Sequence, residues 1–242
     1  MECKLVKQAV AEFIGTFTLI FIGVGAIYNN TQPPGVDLLG IAMAHGLAIA
    51  VMVAATAGIS GGHLNPAVTL GVWLSRKIDG KGAVVYWVAQ MLGAVGAALM
   101  LRVLLRHEVQ GGKAFSAVNI IKNGTPSLQW DVSMLEGLGI EAVLTFFLVF
   151  VVIGTAINPR GPQSIAPLAI GLTIAMGILF GGPFTGGAIN PARWFGPAAV
   201  TGDLGNAAVY IIGPMLGGGV AGLVYGRFLL GGECSEGKPA AS

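Results

Sequence analysis

Charged side chains make up only 10% of this sequence, against roughly 25% in a soluble domain. So few charges cannot cover a water-facing surface, which excludes a freely soluble globule. Cysteine is almost absent: Cys3 and Cys234, the two present, lie in the terminal tails. They offer no disulfide framework and no metal-ligand spacing, and no cofactor is expected. Basic clusters are missing too. The net charge is +2, and no run of Lys and Arg is large enough to grip nucleic acid. No nucleophile–base set and no phosphate loop occurs, so no enzyme chemistry is expected. The apolar run after Lys4 and Lys7 contains Glu12, and no small-residue cleavage site follows a short apolar core. It reads as a first spanning helix rather than a removed signal peptide.

What is abundant is apolar and small: 54% of residues are hydrophobic and 39 are glycine, a composition that suits close helix packing in lipid. A spanning helix needs about 20 mostly apolar residues. Six segments qualify: 8–28, 38–57, 83–105, 136–156, 165–180 and 207–230. Polar or proline-containing stretches at 29–37, 107–131 and 158–164 separate some of them. Two further apolar stretches, 65–74 and 190–199, are half a span long. Each opens with Asn-Pro-Ala after a glycine-bearing turn, Ser60-Gly61-Gly62-His63-Leu64 in one and Thr185-Gly186-Gly187-Ala188-Ile189 in the other. Both read as half-helices entered through irregular backbone.

Basic residues in loops set orientation. With six spans, Lys4, Lys7, Arg76, Lys77, Lys81, Arg160, Arg227 and Lys238 fall on one side, and Arg106, Lys113 and Lys122 on the other. The first side is expected to be cytoplasmic, with both termini there. The chain also repeats. Glu12 precedes Thr16 by four residues, as Glu141 precedes Thr145. His63-Leu64-Asn65-Pro66-Ala67-Val68 answers Ala188-Ile189-Asn190-Pro191-Ala192-Arg193. Three spans per repeat is an odd number, so the second half must sit upside down relative to the first. Paired short, Gly/Pro-interrupted segments in such repeats point to a site near the bilayer midplane. One channel domain over 1–242 is expected: repeats at 1–108 and 136–230, an extracellular connection at 109–135 and a cytoplasmic tail at 231–242.

Asn-Pro is ordinary helix-start grammar, with Asn at N-cap and Pro at N1. Two copies at matching places of an inverted repeat mean more. Two half-helices would then meet N-terminus to N-terminus, each end carrying roughly +0.5 charge. A cation at the junction is repelled and a neutral molecule is not. Asn65 and Asn190 can donate hydrogen bonds there, and the carbonyls of the preceding turns can accept. Irregular backbone is tolerated at that depth only where it lines a cavity or is buried in protein.

These residues carry a resemblance. Ala11-Glu12-Phe13-Ile14-Gly15-Thr16, the run from Ile59 to Thr69, Gln90, and Gly187 to Arg193 look like an aquaporin, of the major intrinsic protein family. The resemblance covers nearly the whole chain. It implies an all-α membrane protein of six transmembrane helices plus two half-helices in an inverted repeat. It implies a passive water channel that excludes protons and ions, embedded in a lipid bilayer as a homotetramer with one pore per subunit. Exclusion by a pore arginine and half-helix ends is the general account of aquaporin pores and comes with the resemblance. The pore motifs are then Asn65, Pro66, Ala67, Asn190, Pro191 and Ala192, with backbone at Gly61, Gly62, His63, Gly186 and Ala188 lining the path.

The family also implies a second constriction on the extracellular side. Position relative to the two motifs places it at His45, Ile178, Gly187 and Arg193. That set departs from strict water and glycerol channels and resembles the plant tonoplast-type subgroup that also passes ammonia. Gly182-Pro183-Phe184 and the run from Gly213 to Gly219 resemble that subgroup too. Ile178 removes a polar group from the ring and Gly187 leaves one wall as bare backbone, so the ring should be wider and less polar. Ala198, where glycerol channels usually carry a basic residue, argues against glycerol. The subgroup's additional loop histidine has no counterpart in 123–132, and Trp194 stands where the family usually has Ser.

Intramembrane Glu12 and Glu141 are read as structural acceptors for the turn amides before each half-helix, with a proton relay as the alternative. His45 and Arg193 are read as pore-facing. The His63 side chain is read as structural and His107 as a loop residue. Gly46, Ala50, Ala54 and Gly58, like Gly218, Gly222 and Gly226, form small-residue packing stripes. Two rivals remain: a proton-coupled transporter using Glu12 and Glu141, and a poorly conducting junction protein on the same fold.

Overall fold

The computed structural model describes residues 2–31, 34–105, 108–110, 113–115, 117–129 and 131–230. Arg106, His107, Cys234, Lys238 and the tail 231–242 lie outside these residues, as does part of the 109–135 connection. Six helices are long and apolar enough to cross a membrane. They are built on α1 (Glu2–Asn30), α2 (Asp37–Ser60), α4 (Gly80–Leu104), α6 (Met134–Val152), α7 (Ala166–Thr185) and α9 (Ala207–Leu223), the last span running on to Leu229. Two short helices complete the pattern, α3 (Pro66–Leu74) and α8 (Pro191–Thr201), of 9 and 11 residues. The chain is an integral multi-pass membrane protein of all-α class.

Local signals set the helix starts. Asp79 caps α4 by accepting from the Gly82 amide at 2.7 Å. Ser133 and Glu136 form a reciprocal capping box on α6, satisfying two amides that have no partner within the helix. Asn65 and Asn190 cap α3 and α8, each followed by Pro.

Several elements differ from the sequence expectation. Helix α7 runs to Thr185 with Pro183 inside it. Proline removes one donor, but at the helix end only the Leu179 carbonyl is affected, and the Gly186 amide closes the helix on Gly182 O. Helix α8 runs through Pro197 as expected and ends at Thr201, two residues beyond the expected 199. Helices α6 and α9 each end in a π turn, Ile153–Ile157 and Val224–Leu229. The turns meet where Gly154 lies against the Tyr225 ring and the Asn158 amide donates to its hydroxyl. The connection expected to be plain loop holds α5 (Ala117–Asn123) and an antiparallel pair, β1 (Glu108–Gln110) with β2 (Lys113–Phe115).

The packing has an internal twofold pattern. Helix α1 lies on α4 as α6 lies on α9, α3 seats against α9 as α8 seats against α4, and α2 crosses α7 at the centre. At that crossing Gly46 and Gly171 bring the two backbones together, since a Cβ at either would overlap the other's carbonyl. The small-residue stripe is used only at this end: Ala54 is exposed, and Gly58 has nothing near its missing Cβ.

Candidate functional site

The site is built where α3 and α8 meet. Both approaches need left-handed backbone. Gly61 and Gly62 lie at φ 90° and 64°, and Leu64 at 52°; Gly186 and Gly187 lie at 79° and 56°, and Ile189 at 55°. The strained leucine and isoleucine are held from below. Glu12 accepts from Ser60 Oγ at 2.6 Å, from the His63 and Leu64 amides at 2.9 and 2.6 Å, and from Gln90 Nε2 at 2.8 Å. Glu141 accepts from Thr185 Oγ1 at 2.6 Å and from the Ala188 and Ile189 amides at 2.9 and 2.6 Å. Both carboxylates are fully buried, where hydrogen bonds to an acceptor count most because water cannot replace them.

The turns deliver the two asparagines to each other. Asn65 Oδ1 accepts from Ala67 N, and its Nδ2 donates to Ile189 O at 2.9 Å. Asn190 Oδ1 accepts from Ala192 N, and its Nδ2 donates to Leu64 O at 3.0 Å. A carboxamide nitrogen carries two hydrogens, so this crossed pair uses one from each and leaves the other. Pro66 and Pro191 follow as the first helical residues, and Ala67 and Ala192 are completely buried behind them.

Cavities flank the junction at opposite ends of α1, α2 and α7. One, of about 290 Å³, is lined by Gly61, Gly62, His63, Tyr86 and Ile170. The other, of about 180 Å³, is lined by Leu38, Gly124, Gln129, Ile178, Gly186 and Arg193. His63 Nδ1 lies 3.1 Å from Thr69 Oγ1, and the ring packs edge-on against Tyr86.

The four ring candidates are brought together unevenly. Ile178 and Arg193 line the second cavity, and Gly187 abuts Ile178, whose Cα would stand 3.2 Å from a Cβ there. Arg193 is 3% exposed. Its Nη1 donates to Gly124 O at 2.6 Å, and its Nε has no protein partner. His45 Nδ1 lies 2.8 Å from Ile41 O. Its Nε2 has no protein partner either and lies against Gly23 of α1. The junction of α3 and α8 thus lies between two cavities, with the unpartnered Arg193 Nε and His45 Nε2 near the second.

Known proteins carry the same design. The profile of the family described as Major intrinsic protein matches residues 1–225. The chain belongs to that family. It is similar to the aquaporin TIP2-1 of Zea mays, 44% identical over 239 residues that cover 96% of this chain and 90% of that protein. It is similar to the aquaporin TIP2-1 of Arabidopsis thaliana, 43% identical over 244 residues, 98% and 92% of the two chains. Its fold matches the aquaglyceroporin of Plasmodium falciparum with TM-score 0.79 at 26% identity, over 93% of this chain and 97% of that one. The resemblance to the tonoplast-type aquaporins is thus borne out. Members of the major intrinsic protein family are passive channels and not enzymes, and this aquaporin is a passive water channel.

Sequence reasoning missed several groups that hold the aquaporin site in place. Tyr86 and Tyr210 donate to the carbonyls of Ser60 and Thr185, at 2.7 and 2.8 Å. Their separations from those turns, 26 and 25 residues, match across the repeat and could have exposed them. Gly124 O, the acceptor for Arg193, has no side-chain identity to read. Trp194 is buried and stacks on Tyr210, with ring centroids 5.8 Å apart.

Proposed function

We propose that this water channel also passes ammonia and other small neutral solutes, and that it turns away protons and ions. The crossed asparagines carry the reading. Asn65 and Asn190 bind each other's turns with one amide hydrogen and keep the other for a solute oxygen or nitrogen. The positive ends of α3 and α8 converge there and disfavour a cation. Carbonyls of Gly61, Gly62, His63, Gly186 and Ala188 act as acceptors along the path. His45, Ile178, Gly187 and Arg193 form the outer ring. Arg193, buried without an ion-pair partner among the described residues, supplies the fixed positive charge. Ile178 and Gly187 leave that ring less polar than a strict water filter, which suits ammonia.

Glu12 and Glu141 act as structural acceptors. Each is tied to two backbone amides and a hydroxyl, a setting that favours positioning over proton relay. The family implies a homotetramer with one pore per protomer, and the tonoplast-type relatives suggest that membrane. The excess of basic residues at the end shared by Lys4, Arg76, Lys77, Lys81 and Arg227 favours a cytoplasmic side for both termini. Stopped-flow light scattering on purified proteoliposomes, with water, ammonia and glycerol compared, tests the reading. Water and ammonia should both exceed empty vesicles, and glycerol should not. Ammonia no faster than in empty vesicles overturns the wider selectivity.

A further inference from the structure

We propose that a groove between α1 and α4 binds one anionic glycerophospholipid, its phosphate at a lysine-bearing mouth and one acyl chain in an apolar trough. The groove has a volume of about 540 Å³, and its walls are apolar, among them Leu5, Val6, Val10, Phe13, Val85 and Leu92. Val6, Val10 and Leu92 are 61%, 51% and 57% exposed, so nothing in the protomer covers them. The one charged residue in its lining is Lys81. A second pocket shares Leu5 and Lys81 with it and adds Lys4, Gln8 and Asp79. The trough therefore opens at one end onto two lysines.

Depth fits one leaflet. At about 1.5 Å rise per residue, Leu5 to Phe13 on α1 and Lys81 to Leu92 on α4 span roughly 12–16 Å. That is about half of the ~30 Å hydrocarbon core. The lysine stems can lie along the apolar wall while the ammonium groups reach the headgroup layer.

Charge at the mouth favours a phosphate. Among the described residues the ion pair found is Lys122 with Asp203, far from this groove, so neither Lys4 nor Lys81 has a carboxylate partner there. Asp79 is nearby, but its Oδ1 is held by the Gly82 amide. Helices α1 and α4 run parallel, and both N-termini lie at this mouth, adding positive character. The corresponding end of α6 and α9, on the other membrane face, carries Glu136 and no lysine in the first turns. A second copy of this chain suits the groove poorly. Asp37, Asp131, Glu136 and Asp203 all lie at the opposite end of the bundle, and Asp79, which a parallel copy would bring to this end, is already engaged in capping its own helix.

The test is native mass spectrometry of the delipidated full-length protein, given equal amounts of phosphatidylglycerol or phosphatidylcholine with the same acyl chains. Wild type should retain phosphatidylglycerol at least fivefold better, at up to one molecule per protomer. The double variant Lys4→Gln/Lys81→Gln should lose that preference. Ala9→Trp, which fills the trough, should lower retention of both lipids; Val10→Trp replaces it if it does not fold. Osmotic water flux in phosphatidylcholine vesicles confirms that each variant is folded. Equal retention of the two lipids by wild type, or an undiminished preference in the double variant, overturns the proposal. So does a trough-filled variant that loses its oligomeric state with lipid retention unchanged, since a neighbouring protomer then occupies the groove.

Discussion

Asn65 and Asn190 are crossed: the side-chain nitrogen of each donates to the carbonyl just before the other, Ile189 O at 2.9 Å and Leu64 O at 3.0 Å. Each therefore caps its own half-helix and pins the opposite one. Asn190→Leu removes both functions and leaves the buried Leu64 carbonyl without its donor, at about 1–3 kcal/mol. Water permeability per folded molecule should fall to that of empty vesicles in stopped-flow shrinkage. Asn190→Asp keeps an acceptor for the Ala192 amide but places a negative charge between two positive helix ends. Planar-bilayer recording should then show a cation current that wild type lacks; silent bilayers would remove the electrostatic part of this account.

The carboxylates beneath the turns differ by one donor. Glu12 collects four hydrogen bonds and Glu141 three, because Gln90 donates to the first while Pro214 stands at the matching place in α9. Leucine at either position strands those donors, each at about 1–3 kcal/mol. Folded yield by size-exclusion chromatography should drop for both, and further for Glu12→Leu than for Glu141→Leu. Glu12→Gln and Glu141→Gln keep an acceptor oxygen and should keep most of the water flux. Flux that requires an imposed proton gradient, and disappears in both Gln variants, would favour a transporter.

The junction was largely legible in the sequence because its grammar is local. Asn-Pro caps a helix wherever it falls, and two half-length apolar runs announce themselves by length. Glu12 and Glu141 were found through the repeat. The groups that bind the turns from outside were not: Tyr86 and Tyr210 reach them from distant helices through one hydroxyl each. Gly124 contributes only a carbonyl, which any residue has. The end of α7 lies beyond Pro183, a proline that suggests a stop but stands within the helix. Helix α5 and the strands of the β1–β2 pair are seven and three residues long, too short for an apolar period to be told from loop.

Trp194 stands four residues after Asn190, as Thr69 stands four after Asn65. In the first repeat Gln90 links Thr69 to Glu12 by hydrogen bonds of 3.0 and 2.8 Å. In the second, the Trp194–Tyr210 stack fills the matching space. Trp194→Thr should therefore destabilise by about 3–5 kcal/mol, as other Trp truncations in cores do. Adding Pro214→Gln should restore part of it by rebuilding the polar link. Thermal unfolding in detergent should place the double variant above Trp194→Thr alone; strict additivity of the two changes would show that the repeats are not interchangeable here.

Gly23 governs where the His45 ring can sit. A Cβ at position 23 would overlap His45 Nε2, and the ring is buried, so Gly23→Ala must displace it. If His45 belongs to the outer ring, the ratio of ammonia to water flux should change at least twofold, with the protein still folded. A shared fall in both fluxes, with the ratio fixed, would place His45 in packing alone.

Selectivity itself turns on Ile178. Its side chain cannot donate or accept, and it lines the outer cavity beside Arg193, with Gly187 bare against it. Water loses a partner at this point, while ammonia, less strongly hydrated, is little affected. Arg193 keeps its charge and the half-helix ends add to it, so ammonium should be turned away. Ile178→His restores a polar, narrower ring, and ammonia flux should fall at least threefold more than water flux. The readout is the rise of internal pH in dye-loaded vesicles after an ammonium pulse, set against osmotic shrinkage of the same preparation. Parallel loss of both fluxes would mean that histidine blocks the path rather than tuning it, and Ile178→Ser then separates size from polarity. Serine adds a hydroxyl without narrowing the ring, so it should favour water over ammonia while leaving total flux high.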